Sequence, residues 1–170
     1  MIERLFKYEN IELNYISATS NHKKDILLLH GSCSRWQSFK AVLPELATHF
    51  NVHAIDLRGH GKSSRANSYQ LEDHVGDVQR LIKDEIKKPI TIFGNSLGGM
   101  IALMLAADHP NLVKALVLGD SPITTDSIHH LLNNQREFAQ QVIIWLRSNQ
   151  LEELYKQVND MSFAENLSYC

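Results

Sequence analysis

Gly94-Asn95-Ser96-Leu97-Gly98 sets one serine between two glycines, directly after the apolar and β-branched run "PITIF" and before "GMIALMLAADHP". A serine hydroxyl is a weak nucleophile at its ordinary ionisation state, so chemistry here needs a base and a place for developing negative charge. The spacing G-x-S-x-G supplies part of that. A strand running into a helix through a tight turn with strained backbone angles lifts the serine oxygen above the sheet. The helix that follows offers its first amides and the positive end of its dipole. The same five residues also arise by chance as a plain turn, and what favours chemistry is the strand before them and the helix after.

Two further stretches belong beside Ser96. In "LLLHGSCSRW" an apolar strand ends in His30-Gly31-Ser32, which would bring the Ser32 amide toward the same pocket as the Leu97 amide, two donors for an oxyanion. Both act through the backbone, so Ser32 matters by position and not by its hydroxyl. His30 reads as a hydrogen-bonding residue at a strand end. Cys33 reads as a bystander, since a thiol nucleophile needs a histidine held against it. In "AIDLRGHGKS", Gly59 and Gly61 read as turn residues, with Asp56 and Arg58 expected to hold each other or nearby amides. Only Gly61-Lys62-Ser63 of a phosphate-binding G-x-x-x-x-G-K-[ST] loop is present, and no G-x-G-x-x-G fingerprint occurs, so a nucleotide site is not expected.

The elements that must position these residues follow from hydrophobic periodicity. Ile2 to Tyr8 and Ile11 to Tyr15 flank Glu9-Asn10 as a hairpin. Ile26 to His30 is a strand apolar on both faces, the pattern of a parallel sheet. Ser34 and Gln37 have capping-box spacing, and Trp36, Phe39, Val42, Leu43 and Leu46 predict one helix as far as His49. "NVHAIDL" is the next strand. Leu71, Val75, Val78, Ile82 and Ile86 predict a helix closed by Pro89; "ITIF", a helix stopping before Pro110, and Ala115 to Gly119 complete the alternation. Mostly parallel α/β packing follows, because each parallel crossover needs a covering element. After Ser127 the apolar spacing is helical, with no further strand.

Composition narrows the function classes. The chain has 170 residues, 44% of them apolar, enough for one substantial core. Lys plus Arg number 17 and Asp plus Glu 19, a formal charge of -2 with no long run of either sign, so a nucleic-acid or membrane-surface partner is not expected. The two cysteines, Cys33 and Cys170, form no disulfide framework and match no metal spacing, which favours a reducing, cytoplasmic compartment. No secretory signal is visible at the start, and no apolar stretch approaches the roughly 20 residues that span a bilayer.

Taken together, "HGSCSRW", "DLRGHGKS" and "GNSLGGMIALMLAADHP" resemble the α/β-hydrolase superfamily, particularly its esterase-like and carbon–carbon-bond-hydrolase branches with a helical cap. The resemblance implies a mostly parallel sheet flanked by helices, with the Ile26 strand between the Val52 and Ile90 strands and Ala115 to Gly119 outside the latter. Residues 1–122 would be the N-terminal part of the core and 123–170 a partial helical cap. It further implies Ser96 as nucleophile, the Ser32 and Leu97 amides as oxyanion donors, a small acyl or ester-like substrate, and no organic cofactor.

The family order is nucleophile, acid, then histidine. The strands that carry the last two are not found, so the fold is expected to be truncated after its sixth strand and the start of the cap. Asp120 follows the strand after the elbow, where some relatives place the acid; its other reading is to hold the "GDSP" turn. His109, His129 and His130 read as surface or packing residues. An amino-terminal fragment, an interrupted gene product, or one part of an assembly whose other chain completes the sheet all satisfy these expectations. Two functions stay open: a serine hydrolase cleaving an ester-like or carbon–carbon bond, and a non-catalytic protein that binds a small molecule under the cap.

Overall fold

The computed structural model describes residues 1–19 and 24–121. Their elements alternate as the periodicity predicts: β1 (Ile2–Tyr8), β2 (Ile11–Ala18), β3 (Asp25–Leu29), α1 (Leu43–His49), β4 (Asn51–Ile55), α2 (Leu71–Arg80), β5 (Ile90–Asn95), α3 (Leu97–Asp108) and β6 (Val113–Gly119). The six strands form one sheet in the order β1-β2-β4-β3-β5-β6. β1 and β2 are the antiparallel hairpin, β2 also runs antiparallel to β4, and β4, β3, β5 and β6 are mutually parallel. The strand neighbours implied by the family resemblance are therefore the observed ones. The expected division at residue 122 and the helical segment after Ser127, with His129 and His130, lie outside the described residues.

Each parallel strand is buried on both faces, and alternate residues feed two different cores. Leu27 and Leu29 of β3 join Ile92, Leu116, Val75, Val78, Ile101 and Leu105, placing α2 and α3 on one face. Ile26 and Leu28 join Val52, Ala54, Phe93, Phe39 and Leu43, placing α1 on the other. Each fully buried aliphatic side chain contributes about 1.5–3 kcal/mol, so this alternation fixes strand register: a slip by one residue would exchange the two cores.

Two local expectations are corrected. The stripe from Trp36 to His49 is not one helix but a single 3-10 turn, Trp36–Phe39, followed by α1. Pro44 explains the break. In a continuous helix residue 44 would donate its amide one turn back, which proline cannot do, whereas proline is well suited to the first turn of a new helix. Ser34 is correspondingly not a cap; Arg35 occupies that position and makes no side-chain capping bond. The helix from Leu71 widens into a π-helical turn, Leu81–Ile86, and is ended by Lys87 in the left-handed conformation, two residues ahead of Pro89. No helix among the described residues is long and apolar enough to cross a membrane.

Candidate active site

The chain order within the sheet makes a crevice. From β3 the chain passes to β4 on one side, and from β4 it crosses to β5 on the other, so the loops leaving β3 and β5 diverge toward opposite faces. The carboxyl ends of strands at such a switch point are where open α/β sheets hold ligands. Leu29 pairs with Gly94 across β3 and β5. Two residues beyond, Gly31 and Ser96 meet: a Cβ built on Gly31 would lie 3.2 Å from Ser96 Cβ and 3.2 Å from Asn95 Nδ2.

Ser96 itself has φ 48° and ψ -115°, a conformation that L-residues rarely adopt, at the junction of β5 and α3. The surroundings hold it there. Its N–H donates to the Gly119 carbonyl of β6 at 2.9 Å, and its carbonyl accepts from the Gly99 and Met100 amides at 2.9 and 3.1 Å. The flanking glycines are required by close approach of backbone to backbone. A Cβ at Gly94 would fall 2.3 Å from the Gly98 carbonyl oxygen, and one at Gly98 would fall 2.3 Å from that of Leu29. Leu97, as first residue of α3, has an amide with no acceptor inside its own helix. Ser96 and Leu97 are half-buried, and Ser32 is exposed.

His30 is buried at the base of this loop. Its Nε2 accepts from the Leu57 amide at 3.0 Å, and its Nδ1 lies 2.7 Å from the Gly31 carbonyl oxygen. Burial pushes its pKa down to about 4, outweighing the opposing effect of the Gly31 carbonyl, so the ring is neutral. The ring of His60 meets it edge-on at 5.1 Å between centroids.

Asp56 and Arg58 do not hold each other. The fully buried Asp56 carboxylate accepts from the Trp36 amide at 2.8 Å through Oδ1, and from Asn14 Nδ2 and the Lys62 amide, both at 2.9 Å, through Oδ2. It thereby fastens the loop after β3 to the loop after β4. Arg58 instead makes a two-pronged pair with Asp77 of α2, Nε to Oδ2 at 2.7 Å and Nη2 to Oδ1 at 2.6 Å, and donates from Nη1 to the Ser68 carbonyl at 3.0 Å. Asn14, Asp77 and the Gly119 carbonyl are the supporting groups that spacing alone does not reveal. The register of β6 on β5, with Gly119 opposite Asn95, is the signal that leads to the last of them.

The histidine candidates are not gathered at Ser96, whereas Asp120 directly follows Gly119, whose carbonyl accepts from the Ser96 amide. Asp120 is exposed, with φ 40°, directly after β6. His109 caps the far end of α3, roughly 20 Å along the helix from Ser96, and its Nε2 lies 2.6 Å from Gln79 Nε2. His53 contacts Asp25 at the opposite end of the sheet, and His60 Nδ1 faces the Arg58 carbonyl at 3.0 Å. Among the described residues no histidine ring is hydrogen-bonded to Ser96 Oγ. Cys33 is an exposed free thiol with φ 57°.

Sequence comparison extends these observations. Epoxide hydrolase 4 of Mus musculus is 25% identical over 165 residues, covering 95% of this chain and 46% of that protein. The pimeloyl-(acyl-carrier protein) methyl ester esterase of Chromobacterium violaceum is 38% identical over 106 residues, covering 62% of this chain and 40% of that protein. The crystal structure of E-2-(acetamidomethylene)succinate hydrolase aligns with a TM-score of 0.67 at 29% identity, over 76% of this chain and 48% of that one. The chain thus spans about half the length, or less, of these relatives. The family defined by the alpha/beta hydrolase fold matches residues 25–167. Because that match runs from β3 through the whole crevice and over most of the sequence, the chain belongs to the alpha/beta hydrolase fold family.

Proposed function

We propose that Ser96 is the nucleophile of a hydrolase acting at an acyl carbonyl, that of an ester, a thioester or a ketone next to the cleaved carbon–carbon bond. The observation that carries this reading is the strained backbone of Ser96 at the switch point, with the Gly31-Ser32 loop packed against it. The Ser32 and Leu97 amides are the donors for the tetrahedral oxyanion. The base, which none of the described histidines supplies, comes from residues beyond them, in this chain or in a partner that completes the sheet. Asp120 keeps its reading as a turn residue. The exposed Cys33 thiol goes with a cytoplasmic setting.

The relatives include both epoxide hydrolases and esterases, and the chemistry of serine favours the second group. Attack by a serine oxygen on an epoxide carbon would leave an alkyl ether with no carbonyl for water to attack, and turnover would stop. Attack on an acyl carbonyl leaves an ester that water can resolve. The test is turnover of short acyl esters by the full chain and its Ser96→Ala variant, together with labelling by a fluorophosphonate. Turnover should fall by about 10³-fold or more in the variant, and the label should map to Ser96. Equal turnover with alanine at 96 would reject the assignment. The second reading, a binding protein without turnover, is favoured by the absence of a histidine bonded to Ser96 among the described residues; saturable ligand binding with no label at Ser96 would establish it.

A further inference from the structure

We propose that the free edge of β1 pairs with the β1 edge of a second copy of this chain, antiparallel about a two-fold axis at Leu5, so that one sheet continues into the other. Among the described residues β1 stands at the end of the strand order and pairs only with β2. Its outward-facing backbone groups follow from the bonds of β2. The Glu12 amide donates to Ser64 Oγ at 3.0 Å, and the Glu12 carbonyl accepts from the Ser64 amide at 2.8 Å. The Asn14 amide donates to Ser63 Oγ at 2.9 Å, and the Asn14 carbonyl accepts from the Asp56 amide at 2.8 Å. Both residues thus turn their backbone groups away from β1. In an antiparallel ladder the residues opposite them do the same on their own side. Lys7, opposite Glu12, and Leu5, opposite Asn14, therefore present N–H and C=O to the open edge, and Glu3, two residues along, joins them.

Proteins blunt such edges with short strands, proline, bulges or charge. β1 is seven residues long, contains no proline, and keeps register with β2 from Ile2 to Tyr8 without a bulge. It also carries apolar surface. Met1, Ile2 and Leu5 are three of the four exposed large apolar side chains among the described residues. What remains as a guard is the charge of Glu3, Arg4 and Lys7, and the order of those charges selects the occupant.

Outward residues must meet outward residues. An axis at Leu5 sets Leu5 against Leu5, Glu3 against Lys7 and Ile2 against Tyr8 of the second copy, joining opposite charges and covering exposed apolar side chains. Within each molecule Lys7 already pairs with Glu12 and Glu3 with Lys62. The row across the junction then reads Glu12, Lys7, Glu3, Lys62, alternating in sign, and each charge keeps its present partner. Neighbouring registers are worse. An axis at Arg4 sets Arg4 against Arg4, and an axis at Phe6 sets Glu3 against Glu9. The sequence of β1 is therefore complementary to itself in one antiparallel register, which is the requirement of a closed two-fold contact.

The test is sedimentation equilibrium of the full chain at micromolar to submillimolar loading, with thermal melts as the check on folding. The parent should show a weak monomer–dimer equilibrium that added salt weakens further. Glu3→Lys and Lys7→Glu each turn two attractive pairs into two repulsive ones and should raise Kd about 10-fold or more. Both changes in one chain restore the complement and should recover the dimer. An equimolar mixture of the two single variants should form a heterodimer, since each offers the sign that the other lacks. Loss of the Lys62 or Glu12 contact inside a monomer could not be repaired by mixing. Leu5→Pro removes a donor that faces away from β2 and should abolish the dimer while leaving the β1–β2 ladder in place. A parent chain that stays monomeric at the highest loading, a dimer indifferent to both charge reversals, or a mixture that does not reassemble would overturn the proposal.

Discussion

Gly98 lies where the first turn of α3 presses on the last carbonyls of β3, and it is the most sharply testable residue of the elbow. A methyl group there would sit 2.3 Å from the Leu29 carbonyl oxygen and 2.8 Å from that of His30. Both carbonyls belong to the central part of the sheet and cannot move independently. Gly98→Ala is therefore expected to lower stability by about 1–3 kcal/mol and to displace Ser96, measured by urea unfolding and by the rate of fluorophosphonate labelling. Gly76 supplies the contrast: it is helical, and a Cβ built there meets nothing within 4 Å. Gly76→Ala should stabilise by about 0.5–1 kcal/mol and leave labelling unchanged. If Gly98→Ala proved as benign as Gly76→Ala, the close packing of the elbow on β3 would be wrong. At this scale the sequence marks Ser96, Gly94 and Gly98 by spacing alone, because five consecutive residues define the turn. The atoms Gly98 makes room for come from the end of β3, some seventy residues upstream, and no local pattern shows them.

Between elements, the Arg58–Asp77 pair joins the loop after β4 to α2, and the Tyr8 hydroxyl donates to the same carboxylate from the end of β1. Burial, reinforced by that carboxylate, holds the Tyr8 hydroxyl protonated far above its usual range, so it acts only as a donor here. The Arg58 and Asp77 side chains are 8% and 2% exposed, so neither charge is well solvated without the other. Asp77→Asn is expected to cost about 3–5 kcal/mol, the penalty for leaving a buried charge short of its partner. Pairing it with Arg58→Met should recover a large part of that loss, and Arg58→Lys alone should not restore the two-pronged contact. Urea midpoints at constant m-value would measure all three, and a loss under about 1 kcal/mol for Asp77→Asn would remove the pair from its role. The hairpin and α2 are legible beforehand because period-two and period-3.6 apolar patterns report burial directly, whereas β3, β5 and α3 are legible as apolar runs bounded by glycine and proline, and the strand order only through the family resemblance. The arginine's true partner is not legible, since Asp56 is two residues away in sequence and Asp77 is on another element. The Trp36–His49 stripe shows a similar limit: its apolar spacing reports the face that α1 and the preceding turn share, while Pro44 alone reports the break.

Across the whole molecule, acid sensitivity follows from three buried histidines held neutral by the fold. Burial is the main cause of a lowered pKa at His30, His53 and His74, to about 4 at His30 and downward at the other two. Their unfolded value is 6.5. Between the two values the unfolded chain binds more protons than the native one, so stability rises with pH in that window and is lost as pH falls. For His30 the loss begins near pH 6.5, is complete near pH 4, and amounts to about 3 kcal/mol. Asp25 acts in a lower window. Burial pushes its carboxyl upward, but hydrogen bonds from Lys88 and His53 bring it below 3.8, so its contribution is present above that value and lost only at more acid pH. Urea midpoints at pH 7.5, 6, 5 and 4 should therefore decline steadily, most of the decline preceding carboxylate titration. His30→Asn, which cannot take up a proton, should flatten the slope between pH 6.5 and 4 while lying lower at pH 7.5. A midpoint that held level from pH 7.5 to 4 in the parent protein would mean that the fold does not hold His30, His53 and His74 neutral.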